Sequence, residues 1–342
     1  MTSPLQNKLH VTNGDCAAEL ITQTGLSGEI LAWRDMLHEG SVPANLSSAQ
    51  LREIRARFIA DFVWWTNYQE TIEIFTHRDN TVENFRQYEE IILWFEHDLY
   101  DQLQLIQILD RFSQWDLGQT KLSLICIDRF DGIEFFKGLG QLNSSQMASL
   151  YPRRQEISSA ELTLATAAWQ SFCANAPRAI EKLLATDTSA LPFLANALLR
   201  HLEQFPSATN GLSRTEKQIL AAVRSGARNP VEIFVAEQQQ EASPFMGDST
   251  IWSYLDRLCN SQENLLEVSG GNFFAFPEQC QNREEFLAQQ LRLTDRGISV
   301  LQGNDDWIEL NGIDRHLGGV HLNDDSHWRW HDRDRRLVLN TR

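Results

Sequence analysis

The chain is short of positive charge: 30 Lys and Arg stand against 46 Asp and Glu in 342 residues, a formal charge of −16. That balance excludes a general electrostatic grip on nucleic acid or anionic lipid, since both partners are polyanions. Cysteine is scarce too. Cys16, Cys126, Cys173, Cys259 and Cys280 are scattered, and no Cys-x-x-Cys pair exists to clip zinc or form a redox couple. A reduced protein of the cytoplasm is the expectation. No apolar run approaches the roughly 18 uninterrupted residues of a membrane span, so no membrane partner is expected. The opening MTSPLQNKLHVTNGD lacks the charged-then-apolar order of a signal peptide. Neither GxGxxG nor GxxxxGK[ST] occurs, which removes the usual signatures of dinucleotide and nucleotide phosphate binding.

What is present is ample apolar material, 42% hydrophobic and 10% aromatic residues, enough for two or three packed domains. Residues 1–140 read as an α/β, Rossmann-like domain with a parallel sheet. LHVTN (Leu9 to Asn13), EILAW (Glu29 to Trp33), IILWF (Ile91 to Phe95) and KLSLICIDRF are four apolar runs separated by helical stretches. Near-continuous apolar runs suit strands buried on both faces. Between them, SAQLREIRARFIADFVWWTN reads as one or two helices, with Trp64 and Trp65 supplying a large apolar surface. Residues 141–210 read as a helical connecting region. Residues 211–302 read as a winged-helix-like domain: a capped helix starting at Ser213 with Glu216 three residues on, two further helices, then NLLEVSGGNFFAFP as a hairpin-like pair of runs around Gly270 and Gly271. Residues 303–342 form a C-terminal extension rich in His and Trp.

In an open parallel sheet the ligand lies beyond the carboxyl ends of the strands. Here those ends carry Asn13, Gly14, Asp15 and Cys16; Arg34 and Asp35; Glu96, His97 and Asp98; and Asp128 and Arg129. Asp98, Asp101 and Gln102 share one face of the following helix. Asp15, Cys16, His97 and Asp98 are the candidate catalytic groups. Asn13, Gly14, Arg34, Asp101 and Gln102 are the candidate ligand contacts. Asp35, His38 and Asp98 are candidate metal ligands, making a divalent metal ion the cofactor these groups suit. Helix capping is the plainer role for Asp15 and Asp98, and burial the plainer role for Cys16, which His10, His38 or His97 would otherwise serve as base.

The extension holds His316, His321, His327 and His331 beside Asp324 and Asp325, without HExxH or regular zinc spacing; incidental metal affinity is its expected property. Trp307, Trp328 and Trp330 argue that it folds back onto a domain. Residues 211–300 carry eight basic against twelve acidic residues. The helix DSTIWSYLDRLC offers Ser249, Thr250, Ser253 and Arg257 but also Asp248, Asp256 and Trp252, so DNA is a poor partner and protein a better one.

The blocks LHVTNGDCAAEL, GEILAWRDMLHEGSVP, WFEHDLYDQLQLIQIL, FFKGLGQL, FPSATNGLSRTEKQIL and NGIDRHLGGVHL resemble a bacterial family known as domain of unknown function 1835. The resemblance implies little chemistry. It implies that relatives often carry Ser where this chain has Cys16, a hydroxyl-to-thiol variant. The expected function is that of a hydrolase or transferase acting on a small polar or phosphorylated ligand at the strand-end rim. The alternative is a regulatory or adaptor protein whose winged-helix-like domain meets protein or DNA.

Overall fold

A computed structural model describes residues 7–63 and 65–341, which fall into two compact units: Met1–Leu199 with Gly318–Val320, and Arg200–Leu317 with His321–Arg342. The fold is mixed α/β. The first unit opens with β1 (Lys8–Thr12), α1 (Asp15–Gln23), β2 (Glu29–Ala32), the two-residue β3 (Gly40–Ser41), α2 (Ser48–Phe62) and α3 (Tyr68–Glu83). It continues with β4 (Glu90–Glu96), α4 (Leu99–Ser113), β5 (Lys121–Ile127), α5 (Ser144–Leu150), β6 (Gln155–Glu156), α6 (Ser159–Cys173) and α7 (Arg178–Leu184). The helix α8 (Leu194–Leu202) crosses the boundary of the units. The helices expected as a connector thus pack, up to Leu199, in the same unit as the sheet.

The four apolar runs are the four parallel strands. The sheet order is β2-β1-β4-β5-β6, with β6 an antiparallel edge. Every residue of β4 is buried, as a strand covered on both faces requires. Ala17, Ile21, Ile92, Trp94, Ile125, Leu139, Met147 and Leu150 form one apolar cluster, while α4 packs on β4 and α6. The chain leaves β1 toward β2 and later returns to the other side of β1 as β4. At such a reversal the crossover connections diverge and open a crevice beyond the strand ends. The pair Gly318 and Gly319 is explained by close packing: Gly319 N–H donates to Phe172 O at 3.0 Å, and a Cβ on Gly319 would fall 1.9 Å from Cys173 O.

A buried ionic network fixes α2, α3 and α4 behind β2. Asp35 meets Arg55 at 2.9 Å and Arg78 at 3.8 Å; Asp79 meets Arg78 at 3.1 Å, Arg111 at 2.8 Å and Arg52 at 3.0 Å. Arg55 also donates to the carbonyls of Met36, Glu39 and Ser41, and Trp33 lies under both Arg78 and Arg111. Trp64 lies outside the described residues, and Trp65 is 58% exposed rather than part of this core.

The second unit contains α9 (Arg214–Arg224), α10 (Pro230–Gln238), α11 (Asp248–Asn260), β7 (Leu266–Val268), α12 (Arg283–Ala288), β8 (Leu291–Leu293), α13 (Asp295–Leu301) and α14 (Trp307–Asn311). After them come β9 (Arg315–Gly318) and β10 (Val320–Leu322), of which Gly318–Val320 belongs to the first unit, then β11 (Ser326–His331) and β12 (Arg336–Thr341). The Ser213–Glu216 capping box is formed. The expected hairpin is not: β7 pairs with β8, not with the FFAF run, in which Phe274 is buried and Phe273 is 81% exposed. The extension is ordered against its unit, with Trp307 and Trp330 buried and Trp330 exchanging backbone hydrogen bonds with Pro206 and Ala208. Among the described residues no helix is long and apolar enough to cross a membrane.

Removing one partner of a buried ion pair strands the other charge in a medium that cannot solvate it. Asp79→Ala, which strips Arg111 of its carboxylate and leaves Arg78 only Asp35 at 3.8 Å, should therefore cost about 3–5 kcal/mol in urea unfolding of the full chain; a loss under about 1 kcal/mol, the range of exposed pairs, would show that the network is not structural.

Candidate functional site

The carboxyl ends of β1 and β4 are tied together by side chains. Asn13, just past β1, donates from Nδ2 to Asp101 Oδ2 at 2.7 Å, and the other oxygen of Asp101 accepts the N–H of Glu96 at 2.8 Å. Asp101 is in the first turn of α4 because Asp98 caps that helix, accepting the Asp101 N–H at 3.0 Å. Gln102, the next residue, donates to the carbonyl of Glu96 at 2.6 Å and to Cys126 Sγ at 3.4 Å; the Cys126 thiol donates to the same carbonyl at 3.3 Å. Glu96 ends β4 and accepts the N–H of Leu139 at 2.5 Å. Gly138 makes that approach feasible: its φ is +150°, and a Cβ there would stand 2.1 Å from Glu96 Oε2.

The result is a cluster of three buried carboxyls, Glu96, Asp98 and Asp101, with ligating oxygens all within 4.8 Å of one another. Burial raises all three pKa values, Asp101 to about 7. For Glu96 the charges of Asp101 and Asp98 add to burial, and for Asp98 the charge of Asp101 does. Three desolvated anions in contact repel strongly unless a proton or a cation intervenes. The cluster is chemically suited to two tasks: holding a shareable proton near neutral pH, or ligating a hard divalent ion through oxygen.

Not every expected site residue joins it. Asp98, Asp101, Gln102 and Asn13 do. Asp15 and Arg34 sit on the exposed rim as a bidentate pair with contacts of 2.5–3.0 Å and side chains 70% and 42% exposed. Arg34 adopts a left-handed backbone, φ 57°, and its N–H donates to Asn13 O. Gly14 is the N-cap of α1 and places no side-chain acceptor on the first amides of that helix; Cys16 is exposed in its first turn. His97 turns away, between Phe136 and Phe193, and burial lowers its pKa. His10 is occupied by Trp94 Nε1–H and Ser27 O, so it is not a base for Cys16.

Of the expected metal set, Asp98 belongs to the carboxyl cluster and Asp35 and His38 do not. Asp35 is neutralised by Arg55 and Arg78 in the ionic network, and His38 is buried edge-on against Tyr100. Among the described residues neither belongs to a metal-competent trio. The residues outside the expected set are Glu96 as a ligand atom, Cys126, and the Gly138–Leu139 backbone. Glu96 was legible as the last strand residue before His97 and Asp98, whereas nothing in KLSLICIDRF distinguishes Cys126 from a core thiol.

No protein-family profile matches the chain, and no curated protein matches it.

A carboxyl whose folded pKa exceeds its unfolded value is protonated more readily in the fold. Its contribution to stability is full below the unfolded value, about 4, and is lost as pH rises through the folded one. Wild-type stability should fall between about pH 4 and pH 7 with up to ~1.4 kcal/mol per pH unit for each proton involved. Asp101→Asn, measured by denaturant unfolding across that range, should flatten the slope; an identical slope in the variant would contradict the assignment.

Proposed function

We propose that the first unit binds a small polar or phosphorylated ligand in the crevice beyond β1 and β4 and acts on it as a hydrolase or transferase. One observation carries this reading: the buried carboxyl cluster stands where a parallel sheet of this order opens its ligand crevice. In a Rossmann-like arrangement, the uncapped amides of α1 at Gly14, Asp15 and Cys16 receive an anionic group. Arg34, held in a left-handed conformation beside them, supplies a guanidinium already shaped for a carboxylate or phosphate. Asn13 links the half-buried rim to Asp101, so a proton held by Asp98 and Asp101 lies one hydrogen bond beneath the ligand. Burial raises the proton affinity of both, and the charge of Asp101 adds to it at Asp98. The same oxygens take a divalent ion such as Mg²⁺ or Mn²⁺ when a ligand phosphate completes the coordination. Membership of the domain of unknown function 1835 family is proposed on the sequence blocks and adds no step to this chemistry.

A second reading rests on the other unit, whose helices α9, α10 and α11 precede the β7–β8 ribbon in winged-helix order. Phe273, 81% exposed between those strands, is an apolar tip suited to a protein partner. DNA is disfavoured: Ser249, Thr250 and Trp252 of α11 are buried, and Arg257 is paired with Glu216 at 2.6 Å.

Thermal melts of the full chain against inorganic phosphate and small phosphomonoesters, with and without Mg²⁺ or Mn²⁺, test the first reading. A ligand at about 100 times its Kd stabilises by ~2.7 kcal/mol, and the shift should vanish in Arg34→Ala and Asn13→Ala. A panel without any shift, or a shift that survives both substitutions, would overturn it.

A further inference from the structure

Two of the extension's four histidines come together. His316 in β9 and His321 in β10 lie on adjacent strands, and their rings stack face to face, centroids 4.2 Å apart and 1° from parallel. Asp314, immediately before β9, places Oδ1 2.7 Å from His321 Nε2. One ligand atom from each of the three lies within 4.8 Å of the others. The backbone under Asp314 is pinned: Asp324 Oδ1 accepts the Ile313 N–H at 2.7 Å, and Gly312, φ +73°, leaves room for that carboxylate. His327 and His331 do not join the trio; the first is bonded to Asn323 O and Arg329, and the second pairs with Asp334.

We propose that Asp314, His316 and His321 form a binding site for a zinc-class divalent ion. Two imidazoles and one carboxylate are a ligand set for Zn²⁺, and for Co²⁺ or Ni²⁺, rather than for Mg²⁺ or Ca²⁺, which prefer oxygen alone. Tetrahedral ligation with bonds of about 2.0–2.1 Å sets ligand atoms roughly 3.3 Å apart. To reach that spacing the His321–Asp314 pair, now at 2.7 Å, would open slightly, and the other separations, all within 4.8 Å, would adjust by side-chain rotation. Burial and the charge of His321 lower the pKa of His316, and the His321 bond lowers that of Asp314. Both are thus in the ligating state at neutral pH, a neutral ring and an anion. The proton between His321 Nε2 and Asp314 is displaced by the ion, to Nδ1 or to solvent. Three protein ligands leave at least one position open, and Asp314 also lines a cavity of about 310 Å³ with Ser213, Glu216, Arg257 and Asn311. Water, or a donor atom from a molecule in that cavity, fills the open position.

The test is calorimetric titration of the tag-free full chain with ZnCl₂, with Co²⁺ as the optical probe of coordination. One Zn²⁺ per chain is expected, weakening as pH falls below the histidine range. His316→Ala and His321→Ala should each abolish stoichiometric binding, while Asp98→Ala retains it. Asp314→Asn keeps a hydrogen-bond partner for His321 but loses the anionic oxygen, and should weaken binding about tenfold or more; it serves if circular dichroism shows an alanine variant unfolded. Absence of one-to-one binding in the wild type, or wild-type affinity in the folded histidine variants, would overturn the site. Loss of binding in Asp98→Ala alone would overturn it equally, by placing the ion on the carboxyl cluster.

Discussion

Asp101 accepts one hydrogen bond from Asn13 at the end of β1 and another from the Glu96 N–H at the end of β4. Through these two bonds the carboxyl ends of β1 and β4 and the first turn of α4 become one rigid element. The arrangement carries an electrostatic constraint. Asp98 and Glu96 are drawn in by cap and backbone donors, so three carboxyls share a dry space that cannot hold three charges. A proton or a cation must be kept there, and either one is a chemical resource. Gly138 and the loop it belongs to are consequences of the same constraint, since the Leu139 amide reaches Glu96 only where no side chain stands in the way.

The ionic network that follows β2 solves the opposite problem. Arg55, Arg78 and Arg111 are buried around Asp35 and Asp79, with Arg52 partly buried at the edge. Their excess positive charge is spread onto backbone carbonyls and the faces of Trp33, Phe58 and Phe75. The two halves meet in α4, which is buried along nearly its whole length yet carries Asp101, Gln102, Gln104, Gln107 and Arg111. Its early residues serve the carboxyl cluster. Its later ones bond to Asp35 O, Trp33 Nε1 and Asp79. A helix with polar residues on a buried surface specifies its own rotation and depth, because each misplaced polar group would be left without a partner.

The strands were legible because a strand covered on both faces must be apolar at every position, and few other elements read that way. Their polar ends were legible for the same reason, since the composition changes abruptly at Asn13, Glu96 and Asp128. Which of those ends meet was not legible. Asp35 and Asp98 look alike after their strands, but the partner of the first is Arg55, twenty residues along, and that of the second is Asp101 on the same turn. The run NFFAF has the apolar content of a strand, while the β7 partner is LRL, more than twenty residues later, a pairing set by packing. In the extension, spacing alone hid the pair His316 and His321: five residues apart they match no helical or zinc-finger interval, and only adjacent strands joined at Gly319 bring their rings together.

Burial raises the Asp101 carboxyl to about 7, so the cluster holds a proton near neutrality. The most direct measurement is a carbon-13 NMR titration of the Asp and Glu carboxyls, with Asp101 assigned by its substitution. An Asp101 midpoint of about 7 is expected, with Glu96 and Asp98 also titrating well above ordinary carboxylates. Midpoints near about 4, the range of solvated carboxylates, for all three would contradict it.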